Sequence, residues 1–565
     1  MRNLLPIFLL LFLFSCQQKE TADTLFINGN FYTVDPSQPR ATALAVSGER
    51  ILQVGDDKTI LALKGANTKV IDLQGQFAMP GFIEGHGHFP GLGSSLMNLN
   101  FMHSKNWDEI VRMVAEKVKT AKPGEWIIGR GWHQEKWDHA PIPNVLGYPY
   151  HDELSRISPN NPVVLRHASG HSLFANAKAM ELAGVSPETP NPSGGEIVRD
   201  SRGKATGVFE ERAQSIIGGV YQEYLNTLPE SAKKAEWIKG AELAQQECLK
   251  KGVTSFQDAG SKFWELEYYK ELAEAGKFNL RLWVMIRQTS DELKGKLQGY
   301  PWINLGKHYL TVRAIKSDVD GALGSYGAWL LKPYNDKPGF EGQNTTPIEE
   351  VAAVADLAAQ NNLQLCVHAI GDRANRVVLD IYEQEANKHP DRKDTRWRIE
   401  HAQHLDPADI PRFKKLGVIA AMQAIHCTSD APFVIKRLGV ERARLGAYPW
   451  RSLLDAGAVV GNGTDTPVED VDPIESFYAS VTRKRADTGL AFFPEQKMTR
   501  AEAVYSYTAA NAFAAFEEKD KGVLQAGKLA DIVVLSNDLL TCSDEDILKT
   551  KVIMTIVGGK VKFKK

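Results

Sequence analysis

The stretch MPGFIEGHGHFPG, residues 79–91, sets His86 and His88 one residue apart directly after a short apolar run. Side chains at i and i+2 of a strand share a face, so two imidazoles spaced this way can point at one ion. The competing reading is a glycine-rich loop carrying two surface histidines, and the rest of the chain decides between them. Other apolar runs also end in polar residues: Lys316 in TVRAIKSDVDG, His368 in LQLCVHAIGD, His401 in RWRIEHAQ and Asp465 in AVVGNGTDTP. Imidazole suits zinc and other borderline ions, and a carboxylate completes such a site while leaving a position for water. Lysine is the odd member, because an ammonium repels a cation. As a carbamate it would instead offer two oxygens able to bridge two ions; its alternative is a salt bridge to Asp318 or Asp320. A His-x-His, two single histidines, a lysine and an aspartate at separate strand ends together point to a metal centre.

Something must bring those ends together. Eight strand-like runs recur: FAMPGFIEGH, VTSFQDAG, LRLWVMIR, TVRAIKSDVDG, LQLCVHAIGD, RWRIEHAQ, GVIAAMQAI and AVVGNGTDTP. Helical patterns such as TPIEEVAAVADLAAQNN and ANRVVLDIYEQEANKH lie between several of them, which implies parallel βα units. Eight such units predict an α/β chain built on a TIM barrel over residues 81–514, with its chemistry at the C-terminal ends of the strands. The first two runs are separated by far more than a βα loop of about 2–6 residues. We therefore read residues 95–225 as an inserted α/β subdomain over the barrel mouth. Short β-rich runs in 21–80 and again in 515–565 predict a small β-sandwich built from both chain ends.

The composition is that of a soluble globular protein, 43% hydrophobic and 24% charged. A formal net charge of −2 asks for no nucleic-acid partner. Residues 1–15 differ: a cationic start, an apolar run from Leu4 to Phe14 too short to span a bilayer (about 20 residues), then LFSC. That pattern resembles a bacterial lipobox, with cleavage before Cys16 and lipid on its thiol. It predicts an exported, membrane-anchored protein of the cell envelope, on the periplasmic side or the cell surface. Of the five cysteines, the other four form no C-x-x-C pair, so neither a zinc knuckle nor a thioredoxin motif is indicated.

The stretches MPGFIEGHGHF, GRGWHQEKW, GHSLFANAKAMELAG, IKSDVDGALGS, VHAIGDRAN, IEHAQ, GTDTPV and GKLADIVVL together resemble the amidohydrolase superfamily, in its amidohydrolase-3 (YtcJ-like) branch, which includes N-substituted formamide deformylases. The resemblance implies metal ligands at His86, His88, Lys316, His368, His401 and Asp465, on a metal-dependent TIM barrel with a β-sandwich from both termini. Glu84 stands where many relatives have aspartate. A metal lowers the pKa of bound water to about 7 in favourable zinc sites; Asp465 would take its proton and return it to the leaving amine. The resemblance also puts His171 near the substrate as a hydrogen-bond donor to the oxyanion, with Trp132 and His133 on the pocket wall. Asp320 would bind substrate or brace its loop. The activity expected is hydrolysis of a non-peptide carbon–nitrogen bond in an amide, N-substituted formamide or cyclic amide. The same activated water would serve an esterase, lactonase or phosphoesterase. The cofactor expected is zinc, two ions in preference to one, with Lys316 carboxylated; the partners expected are a small-molecule substrate and the membrane, and a homo-oligomer is left open. His103, His139, His151, His308 and His389 belong to no such pattern and read as surface or structural.

Overall fold

A computed structural model describes residues 21–102 and 104–565; the expected signal segment, Cys16 and His103 lie outside the described residues. Eight parallel strands form the centre: β1 (Phe82–Gly87), β2 (Val253–Ser261), β3 (Arg281–Ile286), β4 (Leu310–Asp318), β5 (Gln364–Ala369), β6 (Arg398–His401), β7 (Ile419–Gln423) and β8 (Val459–Gly463). Each pairs with the next in chain order. Their near-continuous apolar runs suit strands covered on both faces, and every residue of β1, β3, β5, β6 and β7 is buried.

Register sets the level of the site. Asp318 of β4 stands opposite His368 of β5, and His368 and Ala369 stand opposite Glu400 and His401 of β6. The ring comes close to closing where β8 approaches β1. Beyond the strand ends, Asp465 donates its backbone N–H to the His86 carbonyl at 2.7 Å, and His88 donates to Thr466 at 2.7 Å. Deeper down, the Asn511 amide donates to the carbonyls of Ile83 and Asn462, both at 2.7 Å. A Cβ on Gly85 would stand 2.4 Å from the Asn462 oxygen, so only glycine permits this approach.

The two chain ends build a sandwich. One sheet holds Ala22–Ile27, Ala43–Ser47, Arg50–Gly55 and Lys64–Asp72; the other holds Phe77–Pro80 beside Ile532–Leu535, Val552–Val557 and Lys560–Lys564, with Asn30–Tyr32 and Arg40–Ala41. The run FAMPGFIEGH, expected as one barrel strand, is two: Phe77–Pro80 pairs with Ile532–Leu535, and only Phe82–Gly87 enters the barrel. The chain changes sheets at Gly81, whose N–H bonds the Asp531 carbonyl at 3.0 Å. Buried Arg281 of β3 fixes the sandwich to the barrel through two bonds to Asp531, at 2.7 and 3.0 Å.

After β1, a six-stranded sheet spanning Leu99 to Glu211 forms the insert over the barrel mouth. The helix Glu230–Lys250 then leads back to β2. Cys248, Cys366, Cys427 and Cys542 are free thiols, the first three buried.

Candidate metal centre

The histidines at the strand ends converge. His86 and His88 leave β1 on one side, and their Nε2 atoms stand 3.5 and 3.1 Å from Asp465 Oδ1. His401 at the end of β6 and His426 complete a second group on the same carboxylate; His426 Nε2 is 4.0 Å from Asp465 Oδ2. Within each of these two triads the ligand atoms lie within 4.8 Å of one another. His368 of β5 packs its ring 4.5 Å from that of His401. Lys316 is buried on the neighbouring strand, and its ammonium meets Asp318 at 2.9 Å, the salt bridge named as its alternative. Asp318 also holds Arg287, at 2.8 Å.

Outer partners fix which ring nitrogen faces inward. His86 gives Nδ1 to Glu400, and His401 gives Nδ1 to the side-chain oxygen of Gln423 at 2.7 Å. Glu400 is itself clamped by Arg398, at 2.7 and 2.9 Å. Burial would raise its carboxyl, yet the Arg398 guanidinium and His86 hold it at about 2. Burial keeps the His368 and His401 imidazoles neutral, the latter near 3, so their lone pairs are free to coordinate. Three residues here sit in the left-handed region: His401 (φ 75), Ala402 (φ 42) and Asp465 (φ 58). Such backbone costs about 1–3 kcal/mol each and collects at functional sites.

The residues fit a divalent ion on a direct observation. The buried atoms His86 Nε2, His368 Nε2, His426 Nε2 and Asp465 Oδ1 have no hydrogen-bond partner. Leaving each so costs about 1–3 kcal/mol, and a cation among them would satisfy several together.

The centre opens into a cavity of about 720 Å³ between barrel and insert. His171 and His133 line it from the insert side, with Arg130. His171 Nδ1 lies 3.0 Å from Glu211; burial would lower this imidazole, but the Glu211 and Asp320 carboxylates raise it above the ordinary histidine value. His133 packs beside Phe433, ring centroids 6.0 Å apart. Asp320 also lines the cavity, but its carboxylate accepts backbone N–H bonds from Trp329, Ile370 and Gly371 at 2.8–2.9 Å, which braces the loop. Trp132, expected on the pocket wall, is fully buried in the insert's core against Phe174 and Tyr148, and its indole donates to the Leu165 carbonyl at 2.8 Å. A buried tryptophan satisfied in this way packs the insert and lies off the wall.

Sequence reading missed His426, Glu400 and Arg398. His426 is one residue beyond the run GVIAAMQAI, in the first turn of the helix Ala424–Leu438, so a search confined to strand ends stopped just short of it. Glu400 adjoins His401 and was legible as a second polar strand-end residue.

The model of the amidohydrolase family, Amidohydro_3, matches residues 69–563. Protein LONG AFTER FAR-RED 3 of Arabidopsis thaliana is 33% identical, over 95% of this chain and 91% of its own length. N-substituted formamide deformylase of Arthrobacter pascens is 28% identical, over 96% of this chain and 98% of its own. Among solved structures, an uncharacterized metal-dependent hydrolase from Pyrococcus furiosus superposes with a TM-score of 0.71 at 28% identity, covering 92% of this chain and 100% of that one.

Proposed function

The chain belongs to the amidohydrolase family, and from that premise we propose that it hydrolyses a non-peptide carbon–nitrogen bond, in an amide, an N-substituted formamide or a cyclic amide. The observation that carries the reading is Asp465, shared by two histidine groups at the floor of a polar cavity. The N-substituted formamide deformylase relative supports the bond class.

His86, His88, His401 and His426 with Asp465 would hold the metal, and His368 and Lys316 stand ready on the adjacent strands. Zinc is the ion that this imidazole-rich set favours, and two ions with a carboxylated Lys316 balance the charge better than two with a bare ammonium. A divalent ion there supplies Lewis acidity, bringing the pKa of water down to about 7 and polarising the substrate carbonyl.

The protein does the rest. Asp465 accepts the proton of the attacking water and delivers it to the leaving nitrogen as the carbon–nitrogen bond breaks. His171, held by Glu211, donates a hydrogen bond to the carbonyl oxygen as it gains charge. The insert roofs the cavity and limits water, so these groups act in a medium of low polarity.

The test is a substrate panel of amides and esters paired by acyl group, run on protein whose metal has been counted. Turnover of N-substituted formamides or cyclic amides with zinc bound is the expected result, and a second ion at the catalytic centre that Lys316→Ala loses would support the carbamate. Turnover of esters alone would overturn the bond assignment.

A further inference from the structure

Far from the cavity, on the outside of the barrel, we propose a second metal site: Asp356, Glu385 and His389 bind a zinc ion that bridges two barrel helices. Asp356 lies on the helix Ile348–Gln360, which follows β4. Glu385 lies near the end of the helix Asp372–Lys388, which follows β5, and His389 comes one residue after that helix. Glu385 and His389 are four residues apart, so they share one face of the helix end. Asp356 faces them from the neighbouring helix, and the three ligand atoms lie within 4.8 Å of one another.

The second observation is Glu385 itself. Its side chain is only 4% exposed. One carboxylate oxygen meets the Lys388 ammonium at 2.5 Å, whereas Oε2 is buried with no hydrogen-bond donor. That oxygen points at His389 Nε2 across 3.8 Å, too far for a hydrogen bond. Asp356 is steadied by Gln360, whose amide donates to Oδ2 at 2.6 Å. Two carboxylates thus face each other with Lys388, itself largely exposed, as the neighbouring counter-charge.

A zinc ion fits this gap. Zinc holds nitrogen and oxygen ligands at about 2.0–2.2 Å, so atoms sharing a tetrahedral ion stand about 3.4 Å apart. Small side-chain rotations bring the observed spacing to that value. One imidazole beside two carboxylates selects zinc over calcium or magnesium, which prefer oxygen alone. Water would complete the coordination at this half-exposed surface. The ion would tie together the helices behind β4 and β5, the strands that carry Lys316 and His368, as a brace outside the chemistry.

The test uses the full chain with its catalytic centre already filled with zinc. Equilibrium dialysis against zinc chloride, with metal analysis, compares the wild type with His389→Ala and Asp356→Asn. The expected result is one more zinc per chain in the wild type than in either variant, with hydrolysis unchanged in all three. In crystals soaked with zinc, anomalous scattering at the zinc edge should show a peak among the three side chains. Equal stoichiometry in wild type and variants, or no peak there, would overturn the site.

Discussion

Asp465 carries two demands in the proposed reaction: its Oδ1 faces His86 and His88 Nε2 at 3.5 and 3.1 Å, where it would share their metal, and it would exchange a proton with water and leaving group. Asp465→Asn separates the demands. Asparagine tolerates the left-handed backbone that this position adopts, so the fold should survive while the base is lost. We expect kcat to fall by roughly 10² to 10⁴, the usual worth of acid–base catalysis; steady-state kinetics on protein of matched metal content check it, and near wild-type turnover would remove Asp465 from the mechanism. Glu400 acts one step out, by turning His86 so that Nε2 faces inward. Glu400→Gln should weaken zinc binding by about 10–100-fold, the usual cost of losing such a partner. Competition against a chelator measures this, and activity should largely return at saturating zinc; undiminished affinity would reduce Glu400 to a partner of Arg398. At this scale the candidate ligands legible in the sequence were those in strand-end motifs. His426 was not, because it starts a helix and no motif flags it. Trp132 was misplaced because an apolar tryptophan in a wall and in a core leave the same trace in a sequence.

The strands were legible because barrel strands are short, apolar and separated by turn residues, and all eight runs contain a strand. Their limits were less so: Phe77–Pro80 and Phe82–Gly87 both open on a phenylalanine and are buried throughout, and nothing local tells which sheet will take which half. The seam between β8 and β1 was not legible at all, since it depends on Asn511 and Glu84 meeting backbone from distant segments. Glu84 accepts from the Thr464 N–H at 2.6 Å and from its hydroxyl at 3.1 Å. Burial outweighs those bonds and pushes its carboxyl from 4.5 up to about 8. The folded chain therefore keeps this proton over a range where the unfolded chain has released it. Its contribution to stability is complete below about pH 4.5 and is lost as pH rises through 8. Glu84→Gln removes the titration while preserving a hydrogen-bonding shape that suits Thr464. The melting temperature of the variant should thus fall less than that of the wild type between pH 5 and pH 8, roughly the interval in which the shifted carboxyl ionises. Thermal unfolding across that range checks it; parallel profiles would show that Glu84 is ionised in the fold. Activity should change little, because Glu84 is buried behind His86 and lies off the cavity wall.

At the scale of the whole molecule, the core and the site are built from different materials. One large apolar cluster runs through the barrel and its helices, and separate clusters fill the insert and the sandwich. None of the candidate ligands belongs to them, and the sandwich is held by the Arg281–Asp531 pair at the opposite end of the strands. Stripping the metal should therefore abolish hydrolysis and leave the fold standing. It should still cost stability, because an ion that binds only the folded chain adds about 2.7 kcal/mol when present at 100 times its dissociation constant. In a chain of this size that amounts to a few degrees of melting temperature. The expected outcome of chelation is loss of turnover, an unchanged far-ultraviolet circular dichroism spectrum and a lower melting temperature, all reversed by zinc. The reversal is the sharp part of the test. A pocket held by apolar packing and by the hydrogen bonds of His86 and His401 is preorganised, and it should refill without refolding. Unfolding on chelation would mean that the ion carries the architecture, and turnover that survives chelation would remove the metal from the chemistry.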